Sequence, residues 1–470
     1  MTHLQNPPVQ VTDPHHPHSL KKVAGPLMLW GMAVGAVIAG DYYGWNAGLG
    51  LTGYWGFLVA IAIIGTLYLG LSFVIGELGA MIPHSGGAYA YVRTALGRIW
   101  GFLAGSSVIL QFVFAPVGVA LTVGAYVQVL FPEIPVLVSA AVLYIASTGL
   151  HLIGAAGSLK VEMVITALAV VGLLIFLAIG APHMSVGNLQ AYSEGQVFPN
   201  GFMGLWATLP LAAWFFFSIE TLPMASEEAK NPKRDIPRAM ILSFITLAFL
   251  GVGTLTVAAG VGGADLPGAE APLVNAIQNV IGSQDWILPA IAIFSILAMI
   301  ASFHAIVLAY SRQMFALSRA GYLPRALSRL NRFRTPLWGL IVPGVFGYIF
   351  VIIGHSIMPN AIPVLVTVSV LFAAVSYSLM IISALALRRR HPDMERPFRA
   401  PGGRFTMVLT LVIALILIPA AMAEYLIALF IGAGIYAIIL VYYFAVARKN
   451  LLALSLEQEL ALVDEAEHEL

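Results

Sequence analysis

Ala39-Gly40-Asp41-Tyr42-Tyr43-Gly44-Trp45 interrupts an apolar run at 27–50 and decides the fold. A run of about 20 apolar residues crosses a bilayer as a helix, and 27–50 is long enough. An ionised carboxylate inside the membrane costs several kcal/mol unless it faces a cavity, a partner or a cation. Gly40 and Gly44 weaken the helix on either side of Asp41. A second interruption, Trp214-Phe215-Phe216-Phe217-Ser218-Ile219-Glu220-Thr221-Leu222-Pro223, lies in the sixth apolar run. Paired broken helices mark the binding sites of secondary transporters. The two breaks are five spans apart, which suits a five-plus-five inverted repeat, although no internal sequence similarity reports one.

Working outward, the 470 residues are 60% hydrophobic and 10% charged, with mean hydropathy +0.91. Soluble domains carry about 25% charged residues, so a water-exposed surface is excluded. Twelve apolar runs are expected as helices, at 27–50, 53–76, 99–130, 134–152, 161–181, 202–224, 239–261, 286–316, 336–357, 362–387, 405–422 and 424–447. The expected class is an all-α polytopic membrane protein. Its parts would be a tail at 1–23, a transport core at 24–400, helices eleven and twelve at 401–450, and an acidic tail at 451–470. The core repeats would cover about 24–182 and 200–388. The first segment lacks the pattern of a cleavable signal peptide. Three histidines in it, His15, His16 and His18, read as solvated tail.

Orientation follows from the positive-inside rule. Lys21 and Lys22 precede span one, Arg93 and Arg98 follow span two, and Lys160 opens span five. Lys230, Lys233, Arg234 and Arg238 follow span six, and six arginines from Arg312 to Arg334 follow the core of span eight. Six more lie between Arg388 and Arg404, and Arg448 and Lys449 end span twelve, so all 23 basic residues fall on one side of a twelve-span chain. The expected location is a bacterial inner membrane with both termini cytoplasmic.

The site chemistry follows from what is missing. No Lys or Arg lies at the depth of Asp41 or Glu220, so the simplest partner is a cationic substrate. Tyr42, Tyr43, Trp45, Trp214 and Phe216 would wall it, adding cation–π attraction of about 0.5–2 kcal/mol. Each acid could instead be protonated or bonded to backbone amides. The net charge of +1 implies no nucleic acid, and the absence of cysteine excludes thiol chemistry and thiolate metal sites. No enzyme motif, cofactor loop or metal cluster appears in the spans. The expected partners are a small-molecule amine, the lipid bilayer and a coupling ion, H+ or Na+, with no obligate protein partner evident.

Three loops carry a family resemblance. They are Glu77-Leu78-Gly79-Ala80-Met81-Ile82-Pro83-His84-Ser85-Gly86-Gly87-Ala88-Tyr89-Ala90-Tyr91-Val92-Arg93, Glu227-Glu228-Ala229-Lys230-Asn231-Pro232-Lys233-Arg234-Asp235-Ile236-Pro237-Arg238, and Ser311-Arg312 through Leu317-Ser318-Arg319-Ala320-Gly321-Tyr322-Leu323-Pro324. Together they resemble the amino acid–polyamine–organocation permeases over roughly residues 20–450. The resemblance implies the five-plus-five fold with helices one and six unwound around a central site, and alternating access. These loops read chiefly as structural and gating elements, and Glu77, Arg93 and Arg312 are candidates for a gate built by salt bridging.

Departures from the family pattern set the substrate expectation. Amino acid members hold the substrate carboxylate on the backbone of a Gly-Ser-Gly-type stretch, where this chain carries Asp41. Two carboxylates a few Å apart repel by roughly several kcal/mol in a low dielectric. A substrate without a carboxylate is therefore expected. Gly40-Asp41-Tyr42-Tyr43-Gly44-Trp45-Asn46 looks like the ethanolamine permease subgroup, which implies an amino alcohol with its hydroxyl near Ser218 or Asn46. Many proton-coupled relatives carry a Lys in helix five; Ala169 stands there, which leaves Glu162, Glu220 and His304 as coupling candidates. The alternatives are an amino acid or polyamine permease or exchanger, and more remotely an amine sensor or channel.

Overall fold

The computed structural model describes residues 24–451 except 85, 154, 193–195, 197, 283–285, 334, 359–360 and 424–425. The tail expected at 1–23, and all but Leu451 of the tail expected at 451–470, lie outside the described residues. The described residues form α-helices: α1 (Pro26–Val37), α2 (Ala39–Tyr42), α3 (Asn46–Met81), α4 (Ala88–Leu96), α5 (Arg98–Leu130), α6 (Val136–Ile153), α7 (Ala155–Gly180), α8 (Val186–Ala191), α9 (Gly201–Ala213), α10 (Pro232–Val261), α11 (Pro272–Ile281), α12 (Ile287–Arg319), α13 (Leu337–Ile357), α14 (Ala361–Arg390), α15 (Gly403–Ala423) and α16 (Leu426–Ala445). Two isolated bridges, Ala24 with Ala229 and Leu330 with Pro336, are the β-type pairings among the described residues.

Among the described residues, ten helical segments are long and apolar enough to cross a membrane, and Pro26–Val37 and Val136–Leu152 are shorter apolar helices. The first is short because the expected span at 27–50 is cut. Helix α2 stops at Tyr42, Gly44 takes φ 88°, and the chain resumes at Asn46. Helix α3 runs on for 36 residues through Gly53, whose φ of 66° and ψ of 178° turn the chain there. That turn separates the end of the first expected span from the second. Helix α10 begins at Pro232, earlier than the expected 239, because a proline at the first helical position has its φ preset and lacks only an N–H that would go unbonded.

The helices are apolar on all sides, as burial against both protein and lipid requires. Helices α5 and α14 lie deepest, with 89% of their most apolar windows enclosed. Helix α16 lies at the rim, with 17% of its window enclosed. The segment α1–α2 is held by α7, α10 and α12. Short helices α4, α8 and α11, absent from the sequence expectation, have 9, 6 and 10 residues and are too short to cross a membrane.

Candidate functional site

The two interrupted segments meet in the middle of the bundle. On one side the chain leaves α2 with Tyr43 fully extended, at φ −160° and ψ 168°. On the other, α9 ends at Ala213, Trp214–Phe216 form one 3-10 turn, Phe217 is extended and Ser218 adopts φ 80°. Ser218 is the one non-glycine residue with positive φ among the described residues. A left-handed serine is uncommon and strained, and here it re-aims the chain into a second 3-10 segment, Ile219–Glu228. A Cβ on Gly40 would collide with the Trp214 carbonyl oxygen, so only glycine lets the two breaks come this close.

A small cavity of about 10 Å³, room for about one water molecule, lies between them, lined by Ala36, Val37, Ala39, Gly40, Val119, Trp214, Phe217, Ser218, Ser302 and Ile306. None of these carries a charged side chain. The polar groups of its lining residues are the Ser218 and Ser302 hydroxyls, the Trp214 indole N–H and the backbone of the two breaks. Ser302 is committed: the Ala39 amide donates to it at 3.0 Å, and its own hydroxyl donates to Gly35 O at 2.7 Å. The Ser218 hydroxyl is buried without a hydrogen-bond partner among the described residues.

The expected site residues separate into those at the cavity and those behind it. Gly40, Trp214 and Ser218 line it, and Tyr43 meets Trp214 edge-on at 5.8 Å. Asp41 is fully buried but absent from the lining, with both carboxylate oxygens unpartnered among the described residues. It faces α10, where a Cβ on Gly251 would stand 3.0 Å from its Oδ1. Tyr42 donates to Ala169 O at 2.6 Å, at the helix-five position where the family pattern would set a lysine. Trp45 donates its indole N–H to Asp41 O at 3.2 Å and stacks on Phe215. Phe216 turns away from the cavity, packing on Tyr68 and Phe244. Asn46 clamps the loop after α10, donating to Leu266 O, Pro267 O and Ala269 O at 2.9, 3.2 and 2.9 Å. Glu220 is buried behind the second break, where Gln111 donates to its Oε1 and Tyr68 and Tyr377 lie nearby. The two acids that sequence reasoning set on either side of one cation therefore occupy separate surroundings.

The gate candidates are also split. Glu77 pairs with Arg388 and, at 3.6 Å, with Arg396, and accepts the Ala400 amide at 2.7 Å. Neither Arg93 nor Arg312 pairs with it. Arg93 donates to Tyr89, and Arg312 donates to Met224 O at 2.9 Å. The correction has a simple cause: α14 and the loop after it fold back over the end of α3, and sequence distance hid that approach. Arg312 and Glu162 share a second cavity with Met32, Thr221 and Met224. His304 stacks on His151, a residue with no distinguishing signal in the sequence. Ser302 and Val119 were likewise missed, being a mid-helix serine and an ordinary valine. Groups of three or more metal-ligating side chains are absent among the described residues.

With this geometry in hand, comparisons with known proteins become informative. The sequence pattern of the amino acid permease family matches residues 27–454. The branched-chain amino acid permease BcaP of Bacillus subtilis is 26% identical over 464 residues, covering 92% of this chain and 94% of that protein. The aromatic amino acid transport protein AroP of Escherichia coli O157:H7 is 23% identical over 356 residues, covering 74% and 77%. A crystal structure of an Eremococcus coleocola manganese transporter superposes with TM-score 0.61 at 17% identity, covering 91% of this chain and 96% of that one, a likeness of fold. The chain is a multi-pass membrane transporter and not an enzyme. Matched over nearly its whole length, it belongs to the amino acid permease family.

Proposed function

We propose that this chain imports a small apolar α-amino acid by alternating access, through the cavity between the helix breaks. One observation carries the reading: that cavity has no charged lining side chain. A bare cation there would be a buried charge without a counter-ion, which is costly. A zwitterion brings both charges, and the backbone groups at the two breaks can meet them as broken transporter helices do. Val37, Val119, Phe217 and Ile306 suit an aliphatic side chain. The two relatives named above, permeases for branched-chain and aromatic amino acids, support the same substrate class.

A second reading has its own observation. Asp41, next to Gly40 and unpartnered, would supply a counter-ion if its side chain turned into the cavity. The substrate would then be an ethanolamine-like amine without a carboxylate, with Glu220 and the aromatic residues as further contacts. Thermal stabilisation of purified protein discriminates the two, because a ligand that binds the folded state raises Tm. L-Leucine or L-isoleucine should stabilise the wild type and Asp41→Asn alike. Stabilisation by ethanolamine but not by the amino acids, lost in Asp41→Asn, overturns the first reading for the second.

In this account the termini and basic loops face the cytoplasm of a bacterial cell, and the core repeats cover about 24–182 and 200–388. Glu162 and His304 remain the coupling candidates, with H+ or Na+ as the ion, and the gate salt bridge is that of Glu77 with Arg388 and Arg396 rather than with Arg93 or Arg312.

A further inference from the structure

Helix α3 leaves a strip of its surface exposed between two neighbouring helices. Val59, Ala62 and Thr66 recur at helical spacing on one face, and all three are exposed. The Thr66 hydroxyl donates back to Ala62 O at 2.8 Å, so the strip presents little free polarity. At about 100° per residue, Gly65 and Gly70 fall on opposite flanks of it. Helix α10 packs at Gly65, where a Cβ would stand 4.0 Å from Phe244 Cζ. Helix α15 packs at Gly70, where a Cβ would meet the Thr410 hydroxyl. The strip is the floor of a groove whose walls are α10 and α15, and exposed Ile245 and Leu409 continue it on either wall.

One end of the groove is basic. Pro237 of α10 and Phe398 of the loop before α15 both reach Gly76, where a Cβ would stand 3.4 Å from Pro237 Cα and 3.3 Å from Phe398 Cε1. Arg238 and Arg399, the next residue in each segment, are exposed, as is Arg404 at the start of α15. None of these three arginines makes an ion pair among the described residues. The acids around them are largely taken. Glu395 pairs with Lys233 at 3.2 Å, Glu77 holds Arg388 and Arg396, and Asp235 accepts the Asn231 amide. Asp393 is exposed in the same loop, and positive charge prevails.

We propose that this groove binds an anionic phospholipid, with its phosphate on Arg238, Arg399 and Arg404 and an acyl chain along the α3 strip. Guanidinium groups take phosphate oxygens through paired N–H donors, which strengthens and orients the contact. Basic pockets between membrane helices, next to the headgroup layer, select anionic lipids in this way. A neutral lipid such as phosphatidylcholine carries its own ammonium beside the phosphate and gains less from three arginines. The α10 wall also leads towards the candidate site. Phe244 stacks on Phe216 of the second break, with centroids 5.3 Å apart and an interplanar angle of 24°. An acyl chain in the groove therefore lies one ring away from that break.

Neither the site nor its test depends on which substrate is carried. Purified protein in detergent is given equal amounts of dioleoyl phosphatidylglycerol and dioleoyl phosphatidylcholine, and the lipid retained is counted by native mass spectrometry. Wild type should keep phosphatidylglycerol several-fold over phosphatidylcholine. The triple variant Arg238→Gln/Arg399→Gln/Arg404→Gln should lose that preference. Thr66→Trp, which fills the groove and leaves the arginines in place, should lower retention of phosphatidylglycerol several-fold. Should the triple variant fail to fold, Arg399→Gln/Arg404→Gln is read in the same way. Equal retention of the two lipids, or a preference that survives loss of the arginines, overturns the headgroup site. Unchanged retention in Thr66→Trp overturns the groove. Displacement of the lipid by equimolar glycerol 1-phosphate would show that the phosphate alone is bound, and would overturn the lipid as occupant.

Discussion

The Ala39 amide donates to the Ser302 hydroxyl at 3.0 Å, joining the first helix break to the middle of α12 beside the cavity between the breaks. The same hydroxyl donates to Gly35 O at 2.7 Å, one turn earlier in α1. A single side chain thus satisfies both a donor and an acceptor where the helix is about to lose its regular bonding. Ser302→Ala leaves both backbone groups without this partner, a loss of about 1–3 kcal/mol. Substrate affinity should fall by roughly fivefold or more, read by titration of purified protein, while Ser302→Thr keeps the hydroxyl and most of the binding.

Gly40 makes a steric prediction. Any Cβ there strikes the backbone carbonyl of Trp214, which cannot swing aside as a flexible side chain would. Overpacking of this kind costs about 1–3 kcal/mol. Gly40→Ala should abolish most uptake while the protein still reaches the membrane in normal amount, measured by transport assay beside a surface-labelling control. Full activity would show that the two breaks do not need to approach this closely.

Asn46 does not touch the cavity but holds the loop at Leu266, Pro267 and Ala269 against the start of α3. Asn46→Ala should free that loop, so proteolysis between residues 263 and 271 should quicken. The bound substrate should also dissociate several-fold faster than from wild type, consistent with roughly 1 kcal/mol per lost bond.

Glu77 is 1% exposed and bonded to Arg388, Arg396 and the Ala400 amide. Removing one member of a buried ion pair costs about 3–5 kcal/mol because the other charge is stranded. Glu77→Gln should lower Tm by several degrees, since about 1 kcal/mol moves Tm by roughly 2–4 °C in domains of 150–250 residues. Arg388→Gln should do the same, and the double variant should be less destabilised than the sum, a coupling measured by a double-mutant cycle.

Much of this fold is legible in the sequence because a bilayer enforces long apolar helices and basic residues collect at one end. The breaks at Tyr43–Trp45 and Phe217–Ser218 were visible too, since glycines, aromatics and carboxylates disrupt an apolar run in a way that reads directly. What the sequence does not carry is direction. Asp41 and Gly40 are adjacent, yet Gly40 lines the cavity and Asp41 faces α10, because successive helical residues point about 100° apart. A cation held between Asp41 and Glu220 was a sound inference from charge alone and needed that geometry to be revised. Glu77 shows the same limit at long range: its partner Arg388 lies 311 residues away. Ser302 and His151 carried no signal, because a serine or histidine in an apolar helix looks the same whether it packs or binds.

The central claim is that an amino acid, rather than an amine, fills the cavity between the breaks. Competition against radiolabelled L-leucine on purified wild type and Asp41→Asn tests it most directly, with L-isoleucine, L-phenylalanine, ethanolamine and putrescine as competitors. The account predicts displacement by the apolar amino acids, none by the amines, and similar affinity in Asp41→Asn. Absence of L-leucine binding, with ethanolamine binding that disappears in Asp41→Asn, would contradict it and place the substrate's ammonium on Asp41.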